Sequence, residues 1–449
     1  MRLTFGTDGV RGVANSELSA ELVLALGRAA ARVLGRDGFV VGRDTRISGP
    51  LLVSALAAGL AAEGADVTDL GVLPTPGVAV VAAERALPAA VVSASHNPFA
   101  DNGIKLFARG GTKLDDDVER RIEAELGAVL AGPAGAHEAP SGDAVGRITG
   151  DTGAGSRYLD RLREGLAGRT LGGLRVVVDC ANGAASALAP PLLESLGAEL
   201  TVLSAEPDGI NINAGCGSTH PQALQEAVVR TGADVGLALD GDADRVVAVD
   251  ERGCLVDGDH LMAMCALDLR GRGLLAGNTV AVTVMSNLGF RLAMEEAGVA
   301  VHETPVGDRH VLAAMEAHGW VLGGEQSGHI IFRHLASTGD GMLTGLQVLD
   351  LMRRTGRTLG DLAATAMTRM PQELRSVRVA DLAGLGEAPS VWDAVAETER
   401  SLGHRGRVVL RASGTEPVVR VMVEADDPGT AAAAVDRLCQ VVEEALGPA

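Results

Sequence analysis

The chain has 449 residues, enough for three or four domains, and hydrophobic residues make up 47% of it. A formal net charge of −19 argues against nucleic acid as a partner. The five cysteines are scattered and form no C-x-x-C pair, which argues against a disulfide framework and against a zinc site.

The sequence predicts a cytoplasmic protein that has no membrane partner. No apolar run is long enough to span a bilayer without charges, and Met1–Asp8 lacks the apolar core of a signal peptide. The scattered cysteines suit a reducing compartment. A monomer and a homodimer both fit the sequence.

The first three-quarters of the chain can be read as one strand–helix–strand–strand pattern that occurs three times. The predicted segments in chain order are Gly38–Asp44, Leu51–Glu63, Asp66–Leu70 and Ala89–Val92, then Leu174–Asp179, Ala185–Leu196, Glu199–Leu203 and Asp234–Leu239, then Thr279–Val284, Gly289–Ala297, Val299–Thr304 and Trp320–Leu322. This alternation predicts α/β units with mostly parallel strands, whose ligands bind beyond the carboxyl ends of the strands. Each third strand runs into an unusual polar cluster, and this coincidence is a stronger signal than any one cluster.

From about Gln372 the chain leaves the repeat, and its pattern predicts a small α+β domain. The predicted segments there are Ser376–Val379, Ser390–Leu402, Gly406–Leu410, Val418–Glu424 and Thr430–Leu446. The expected fold class is therefore α/β, with three similar α/β domains that have mixed sheets, followed by a smaller α+β C-terminal domain. The expected domains are residues 1–150, 151–255, 256–369 and 370–449; a segment rich in Gly, Ala and Pro at Ala131–Thr149 marks the first boundary.

The polar cluster of the second copy is acidic. The carboxylates of Asp240, Asp242 and Asp244 alternate with small residues between apolar flanks that read as buried strands, and Arg245 closes the run. Mg²⁺ prefers such oxygen ligands, and three buried acids would repel one another without a cation. An EF-hand would use Glu251 as its twelfth residue, but Arg245 stands where that loop needs glycine, and its flanks would be helices. The run therefore predicts a metal site that handles a phosphorylated ligand.

The polar cluster of the first copy contains Ser95, directly after the predicted strand and before the tight turn of an Asn-Pro pair. Serine usually caps a local turn, but near a metal site its hydroxyl can carry a phosphoryl group. No G-x-S-x-G elbow of a hydrolase occurs in the chain. Lys105 follows closely, and Lys113 is the only other lysine. An amine beside a metal and other cations can have a lowered pKa and act as a general base, which arginine cannot do.

Three more polar turns suit a sugar phosphate. Gly324–His329 offers a carboxylate, a hydroxyl and an imidazole between glycines, which suit sugar hydroxyls. Arg411–Arg420 offers hydroxyl and backbone donors together with two arginines, which is how a phosphate is held without a metal. Arg11, in Thr7–Gly12, is a further candidate phosphate contact. No Walker sequence occurs, so ATP hydrolysis has no support.

Together these motifs resemble the α-D-phosphohexomutase family along essentially the whole chain. The segments that match in order and spacing are Phe5–Gly12, Ser93–Pro98, Asp240–Arg245, Gly324–His329 and Arg411–Arg420. Within the family, Gln326, the Gly-Thr-Asp-Gly opening and Asp101–Lys105 imply interconversion of glucosamine 6-phosphate and glucosamine 1-phosphate. Such a reaction supplies UDP-N-acetylglucosamine and cell-wall precursors.

The resemblance implies a phosphoserine mechanism in a central cleft that closes between the domains. It implies that Ser95 carries the phosphoryl group, and that this phosphate and the three aspartates hold one Mg²⁺ per chain. Lys105 would be the candidate general base, and the residues implied to support the phosphoryl group are Arg11, His96 and Arg245. The residues implied to bind the sugar are Glu325, Ser327 and His329, and those implied to bind the phosphate that is not transferred are Arg411, Ser413, Gly414, Thr415 and Arg420. Ala412 departs from the family, where proline often stands.

Two alternatives remain open at this point. One is a mutase of the same family that prefers mannose or glucose phosphates. The other is a metal-dependent sugar-phosphate-binding protein without enzymatic activity, in which Ser95 and Lys105 would have no evident task.

Overall fold

The structure is a computed structural model that describes residues 9–132, 139–413 and 418–447. Its first sheet has six strands in the order β1-β5-β4-β2-β3-β6, with β5 antiparallel to both neighbours and the others parallel. The elements are β1 (Val10–Val13), α1 (Ala20–Leu34), β2 (Phe39–Arg43), α2 (Gly49–Ala62), β3 (Val67–Val72), α3 (Thr75–Arg85), β4 (Ala89–Val92), β5 (Asp101–Phe107), α4 (Asp116–Leu130) and β6 (Ile148–Gly150). All of β4 is buried, because helices cover both faces of the sheet.

The second sheet has five strands in the order β11-β10-β9-β7-β8, and β10 is antiparallel to both of its neighbours. The elements of this part are α5 (Ala154–Glu164), β7 (Arg175–Asp179), α6 (Ala189–Ser195), β8 (Glu199–Leu203), α7 (Gln222–Thr231), β9 (Val235–Leu239), β10 (Val246–Asp250) and β11 (Leu255–Val256). Strands β9 and β10 are buried along their whole length, as their apolar sequences predict.

The third sheet has four strands in the order β13-β12-β14-β15, with β15 antiparallel. The elements are α8 (Gly258–Gly271), β12 (Thr279–Thr283), α9 (Leu288–Glu296), β13 (Ala300–Thr304), α10 (Asp308–His318), β14 (Leu322–Gly324), β15 (Ile330–Phe332), α11 (Gly341–Thr355) and α12 (Leu359–Ala366). Strand β14 begins two residues later than predicted, because Leu322–Gly324 and not Trp320 pairs with its neighbours.

The threefold repeat is confirmed by strand order. The orders β3-β2-β4-β5, β8-β7-β9-β10 and β13-β12-β14-β15 are equivalent, and in each the last strand is antiparallel. Each polar cluster connects the third parallel strand to this antiparallel strand. The three clusters therefore occupy the same hairpin position in three sheets.

The C-terminal part is a three-stranded antiparallel sheet, in the order β16-β18-β17, with two helices packed on it. Its elements are β16 (Gln372–Arg378), α13 (Pro389–Leu402), β17 (Arg407–Ala412), β18 (Val418–Glu424) and α14 (Pro428–Leu446). The smaller α+β domain is confirmed, whereas the exact domain boundaries stay predictions.

The buried side chains show which parts are joined by apolar packing. One core cluster runs from the α3 face of the first sheet through the second and third sheets, from Val40 to Met367. The C-terminal sheet has a separate core between Val377 and Leu446. No helix within the described ranges combines the length and apolar character that a bilayer-spanning segment needs.

Candidate active site

The three hairpin loops lie against one another at the carboxyl ends of the parallel strands. Ser95 in the first loop donates a hydrogen bond from Oγ to Oδ2 of Asp240 in the second, at 2.5 Å. The second and third loops meet where Val246 N donates to the carbonyl of Gly328, at 3.1 Å. The serine and the acidic run therefore form one cluster, with the third loop beside it.

Ser95 is completely buried and has left-handed backbone dihedral angles, with φ of 52°. Such a φ is uncommon for a residue with a side chain, and it costs about 1–3 kcal/mol, which the surrounding contacts must offset. The loop begins where β4 ends, and Ser95 N donates to Ser93 Oγ at 3.0 Å. The backbone thus turns so that the Ser95 hydroxyl faces the acidic loop.

The carboxylates of Asp240, Asp242 and Asp244 form a buried group suited to a divalent cation. Each offers an oxygen atom within 4.8 Å of the others. Oδ1 of Asp242 and Oδ1 of Asp244 are buried and have no hydrogen-bond partner. Arg245 Nε lies 3.7 Å from Asp244 Oδ1, beyond hydrogen-bonding distance. A buried carboxylate oxygen without a hydrogen bond is costly, so these two atoms fit the ligand positions of a hard cation.

Burial and neighbouring charges shift the pKa values of two of these carboxyl groups in opposite directions. Burial and the charges of Asp244 and Asp242 raise the pKa of Asp240 well above its usual value. Burial also opposes ionisation of Asp244, but Lys105, His329 and Arg245 outweigh it and hold the pKa of Asp244 well below its usual value. A bound cation would favour the ionised form of all three groups.

Lys105 lies on β5, where it is 4% exposed and contacts two members of this acidic group. Its Nζ atom is 2.9 Å from Asp242 Oδ2 and 3.0 Å from Asp244 Oδ2. The described neighbours of its amine are thus carboxylates, whereas the sequence predicted a metal and other cations beside it, and the base role stays a prediction. Thr75 donates from Oγ1 to the same Asp242 Oδ2 at 2.6 Å and from its backbone N–H to Asp242 O at 3.0 Å.

His96, Arg11 and Arg245 surround the Ser95 loop on its open side. Arg245 Nη1 donates to His96 Nδ1 at 3.2 Å, and Arg11 Nη1 lies 3.3 Å from Asn97 Oδ1. Burial, with the charges of Arg245 and Arg11, lowers the pKa of His96 to about 4. His96 is therefore neutral at neutral pH and acts as a hydrogen-bonding group between two arginines that can face an anion.

The residues of the third loop that are predicted to bind the sugar differ in solvent exposure. Glu325 accepts a hydrogen bond from Gly307 N at 3.2 Å, and Ser327 is exposed. His329 is 3% exposed and lies between Asp308, at 3.1 Å, and Asp244, at 3.7 Å. Burial alone would lower the pKa of His329, but Asp308 and Asp244 raise it to about 10. His329 thus faces carboxylates, and its contact with a sugar stays a prediction.

The predicted phosphate turn lies on the C-terminal sheet, apart from the first three loops. Arg411 on β17 and Arg420 on β18 are cross-strand partners, and burial together with Arg420 lowers the pKa of Arg411. Two adjacent cations of this kind favour an anionic ligand. Ser413 N donates to Val418 O at 2.9 Å, while Gly414 and Thr415 lie outside the described residues. A crevice of about 850 Å³ is lined by Arg411 and by Leu288 at the start of α9.

Three contributors to the cluster were not predicted from the sequence: Thr75, Arg46 and Asn213. Arg46 and Asn213 both donate hydrogen bonds to the carbonyl of Ser95. A signal for the first two existed, because Thr75 follows β3 and Arg46 follows β2, at the sheet edge that carries the three loops. Asn213 lies in a long connection without periodicity, which gave no signal.

Comparison with known proteins covers all four parts of the chain. The phosphoglucomutase/phosphomannomutase family models match residues 2–130 as alpha/beta/alpha domain I, 156–253 as domain II, 257–370 as domain III and 374–441 as the C-terminal domain. Among curated proteins, the phosphoglucosamine mutase of Desulforudis audaxviator is 53% identical, over 99% of this chain and 98% of its own. That of Rhodococcus jostii is 54% identical, over 98% of both chains.

Solved structures give the same picture of the fold. A phosphoglucomutase/phosphomannomutase family protein from Burkholderia thailandensis has a TM-score of 0.80 and 27% identity, over 99% of this chain and 98% of its own. The Aspergillus fumigatus N-acetylphosphoglucosamine mutase, solved with GlcNAc-6P and magnesium, has a TM-score of 0.70 and 20% identity, over 99% of this chain and 96% of its own. With four family domains in order and relatives above 50% identity along its whole length, this chain belongs to the phosphoglucomutase/phosphomannomutase family.

Proposed function

We propose that the chain interconverts glucosamine 6-phosphate and glucosamine 1-phosphate through a phosphoserine at Ser95 and a bisphosphorylated sugar. The observation that carries this proposal is the 2.5 Å contact between Ser95 Oγ and Asp240, inside a carboxylate triad that fits a cation. The phosphoglucosamine mutase relatives at 53% and 54% identity support the choice of sugar. We place the reaction in the cytoplasm, because all five cysteines are free thiols.

Each phosphoryl transfer exchanges one P–O bond for another. The bond from phosphorus to Ser95 Oγ breaks while a bond to the free sugar hydroxyl forms, and the hydroxyl gives its proton to a base. Lys105 is the candidate base for this proton. The resulting bisphosphate turns over, and its other phosphoryl group returns to Ser95 by the reverse exchange.

The residues around Ser95 have separate tasks in this scheme. Arg245 and Arg11 face the phosphoryl group and offset its negative charge, and His96 accepts a hydrogen bond from Arg245 beside them. Asp240, Asp242 and Asp244 would hold Mg²⁺, which when bound supplies positive charge to the transferring phosphoryl group.

The residues that hold the rest of the sugar phosphate lie on other loops than Ser95. Glu325 and Ser327 bind its hydroxyls, and Arg411, Ser413 and Arg420 bind the phosphate that is not transferred. Gly414 and Thr415 belong to the same proposed turn. The phosphate that is not transferred is attached to either end of the sugar in turn. Charged groups that bind only this phosphate accept both orientations, whereas a pocket shaped to one face of the ring would not.

The serine is the first element to test. In purified Ser95→Ala we expect loss of the phosphate detected by intact mass and loss of at least 1,000-fold in mutase turnover, because no nucleophile remains. Ser54→Ala, on the exposed face of α2, is the control and should keep both. Normal turnover by folded Ser95→Ala would contradict the mechanism.

The substrate is tested by comparing kcat/KM for the phosphates of glucosamine, glucose and mannose. The proposal predicts the highest value for glucosamine 6-phosphate. A higher value for either other sugar would assign the chain to another specificity in the family. Binding of all three without isomerisation would favour a sugar-phosphate-binding protein.

A further inference from the structure

One buried arginine, Arg46, binds the backbone carbonyl groups of the Ser95 loop. The Arg46 side chain is completely inaccessible to solvent, although it comes from a different loop, directly after β2. Its Nη2 atom donates to the carbonyls of Ser95, at 3.0 Å, and Asn97, at 2.8 Å. Its Nη1 atom donates to the carbonyls of Pro98 and Asp101.

The guanidinium of Arg46 uses its whole hydrogen-bonding capacity in this way. Nε donates to Asp44 Oδ2 at 2.8 Å, so all five N–H groups have an acceptor. Asp44 also accepts from Ser93 Oγ at 2.6 Å, and Ser93 Oγ accepts from Ser95 N. The loop is therefore fixed through its carbonyl groups and through the amide of Ser95 itself.

A second donor reaches the same carbonyls from the second domain. Asn213 Nδ2 donates to Ser95 O at 2.9 Å and to Asn97 O at 3.1 Å. Asn213 is 8% exposed, and its backbone is fixed by a hydrogen bond to Ala181 O at 2.9 Å. The carbonyls of residues 95 and 97 thus each accept one bond from each domain.

This arrangement explains the unusual backbone of Ser95. A left-handed residue persists only when the surrounding structure enforces it. Arg46 and Asn213 provide that restraint, and they leave the Ser95 hydroxyl on the opposite side, toward Asp240. Two further hydrogen bonds join the domains near Asn213 and hold it against the serine loop. They run from Thr45 Oγ1 to Asn182 O, at 2.6 Å, and from Ile47 N to Gly209 O, at 2.8 Å.

We propose that Arg46 and Asn213 are positioning residues that jointly hold Ser95 in its left-handed, reactive geometry, so that the first two domains form one unit during phosphoryl transfer. This inference rests on the proposed phosphoserine reaction. Within the described residues, neither side chain forms a hydrogen bond to the acidic triad; both act through the backbone of the serine loop.

Asn213→Asp is the sharpest test, because it replaces a donor with an acceptor of the same shape. An oxygen facing two carbonyls would push the loop away, and a displacement of about 1 Å can reduce the transfer rate about 100-fold. We expect the single-turnover rate of phosphate loss from Ser95 to added glucosamine 6-phosphate, followed by intact mass, to fall about 10- to 100-fold. KM should change less than about threefold, because the sugar contacts are elsewhere.

Asn211→Asp is the matched control. It makes the same change two residues earlier, where the amide donates to Glu206 O instead of the serine loop, and its transfer rate should equal that of the wild type. If Asn213→Asp does not fold, Asn213→Gly removes the amide and tolerates the φ of 57° at this position. That variant should lose about tenfold in transfer rate.

A folded Asn213→Asp or Asn213→Gly protein with the wild-type transfer rate would overturn the positioning role. An equal rise in KM and fall in rate would also overturn it, because that result indicates general damage to the site. Failure of the phosphoserine reaction itself is a separate result, since wild-type protein would then show no phosphate on Ser95 and no transfer.

Discussion

Lys105 shows how single residues share the charge of the site. It contacts Oδ2 of Asp242 and of Asp244, while Oδ1 of each carboxylate has no hydrogen-bond partner. The lysine and a metal ion can therefore use different oxygen atoms of the same side chains. This division keeps a base candidate next to the cation without direct competition for a ligand.

Lys105→Arg tests whether this side chain must be able to lose a proton. Arginine keeps the positive charge but stays protonated at any accessible pH. We expect kcat to fall at least 100-fold, measured as steady-state isomerisation of glucosamine 6-phosphate. The control is Lys113→Arg at the only other lysine, which pairs with Asp308 and should stay within about threefold of the wild type. Wild-type kcat in Lys105→Arg would remove it as the base.

Asp242→Asn tests the metal site without relying on activity. Wild-type protein should gain thermal stability on addition of Mg²⁺, because a ligand that binds only the folded state raises Tm. The asparagine keeps the shape of the side chain but removes one of the three charges, so we expect the Mg²⁺-dependent rise in Tm to disappear. Asp436→Asn, on the exposed surface of α14, should keep it. An undiminished rise in folded Asp242→Asn would contradict the assignment.

At the scale of elements, helix α11 connects the third part of the chain to the acidic loop. Its N-cap residue Asp340 accepts from Leu343 N at 2.9 Å, and Gly341 N donates to Ala243 O at 2.9 Å. Tyr158 on α5, the only tyrosine of the chain, donates its hydroxyl to both oxygens of Asp340 at 2.9 Å. Two elements from different domains therefore meet at one buried carboxylate behind the acidic loop.

Tyr158→Phe should lower the free energy of unfolding by about 1–3 kcal/mol, because it removes the side-chain donor of a buried carboxylate and leaves it only backbone N–H donors. Urea denaturation followed by tryptophan fluorescence measures this change. A double-mutant cycle with Asp340→Asn isolates the pair, and we expect a coupling energy of at least about 1 kcal/mol. Coupling near zero would mean that the hydroxyl contributes nothing beyond its volume.

The elements also show what the sequence could and could not predict. Strands such as β4 and β9 were predicted within one residue, because uninterrupted Val, Ala and Leu runs end at polar loops. Helix α3 was missed, because Pro and Gly in its first turn and small apolar residues after it give no clear helical pattern. The serine loop and the acidic loop were found from residue chemistry. The bond from Asn213 to Ser95 was not, because 118 residues separate them and no periodicity relates their loops.

The whole molecule is joined in two different ways. The first three sheets share a continuous apolar core, whereas the C-terminal sheet has its own. The contact between the third and fourth sheets contains a buried polar group: Glu424 accepts from Asn287 Nδ2 at 2.9 Å, Leu288 N at 3.0 Å and Arg407 Nε at 2.8 Å. Hydrogen bonds are directional, so this contact fixes the orientation of the C-terminal sheet relative to the third part of the chain more than it adds buried apolar surface.

Asp259 makes this junction sensitive to pH. Burial, with the neighbouring Asp257 and Glu424 charges, raises the pKa of Asp259 from 3.8 to about 7, while Asn287 N donates to it. Between pH 4 and 7 the folded protein keeps a proton that the unfolded chain releases, so this contribution to stability is lost as the pH rises through that range. Asp259→Asn should therefore flatten the fall in unfolding free energy between pH 5 and 7.5, measured by urea denaturation. A slope equal to that of the wild type would contradict the assignment.

Glu424→Gln should loosen the C-terminal domain without affecting the chemistry at Ser95. The new amide nitrogen would face one of the N–H groups that now donate to Glu424, and Arg407 would lose one of its two charged partners, keeping Glu303. Because the proposed turn for the remote phosphate lies on this domain, we expect KM for glucosamine 6-phosphate to rise about tenfold while kcat changes less than about threefold. Amide exchange along β16 should become faster. Glu397→Gln, in an exposed ion pair with Arg437 on the same domain, should change neither quantity. A folded Glu424→Gln protein with unchanged KM and exchange would show that the apolar contacts alone set the orientation of the domain.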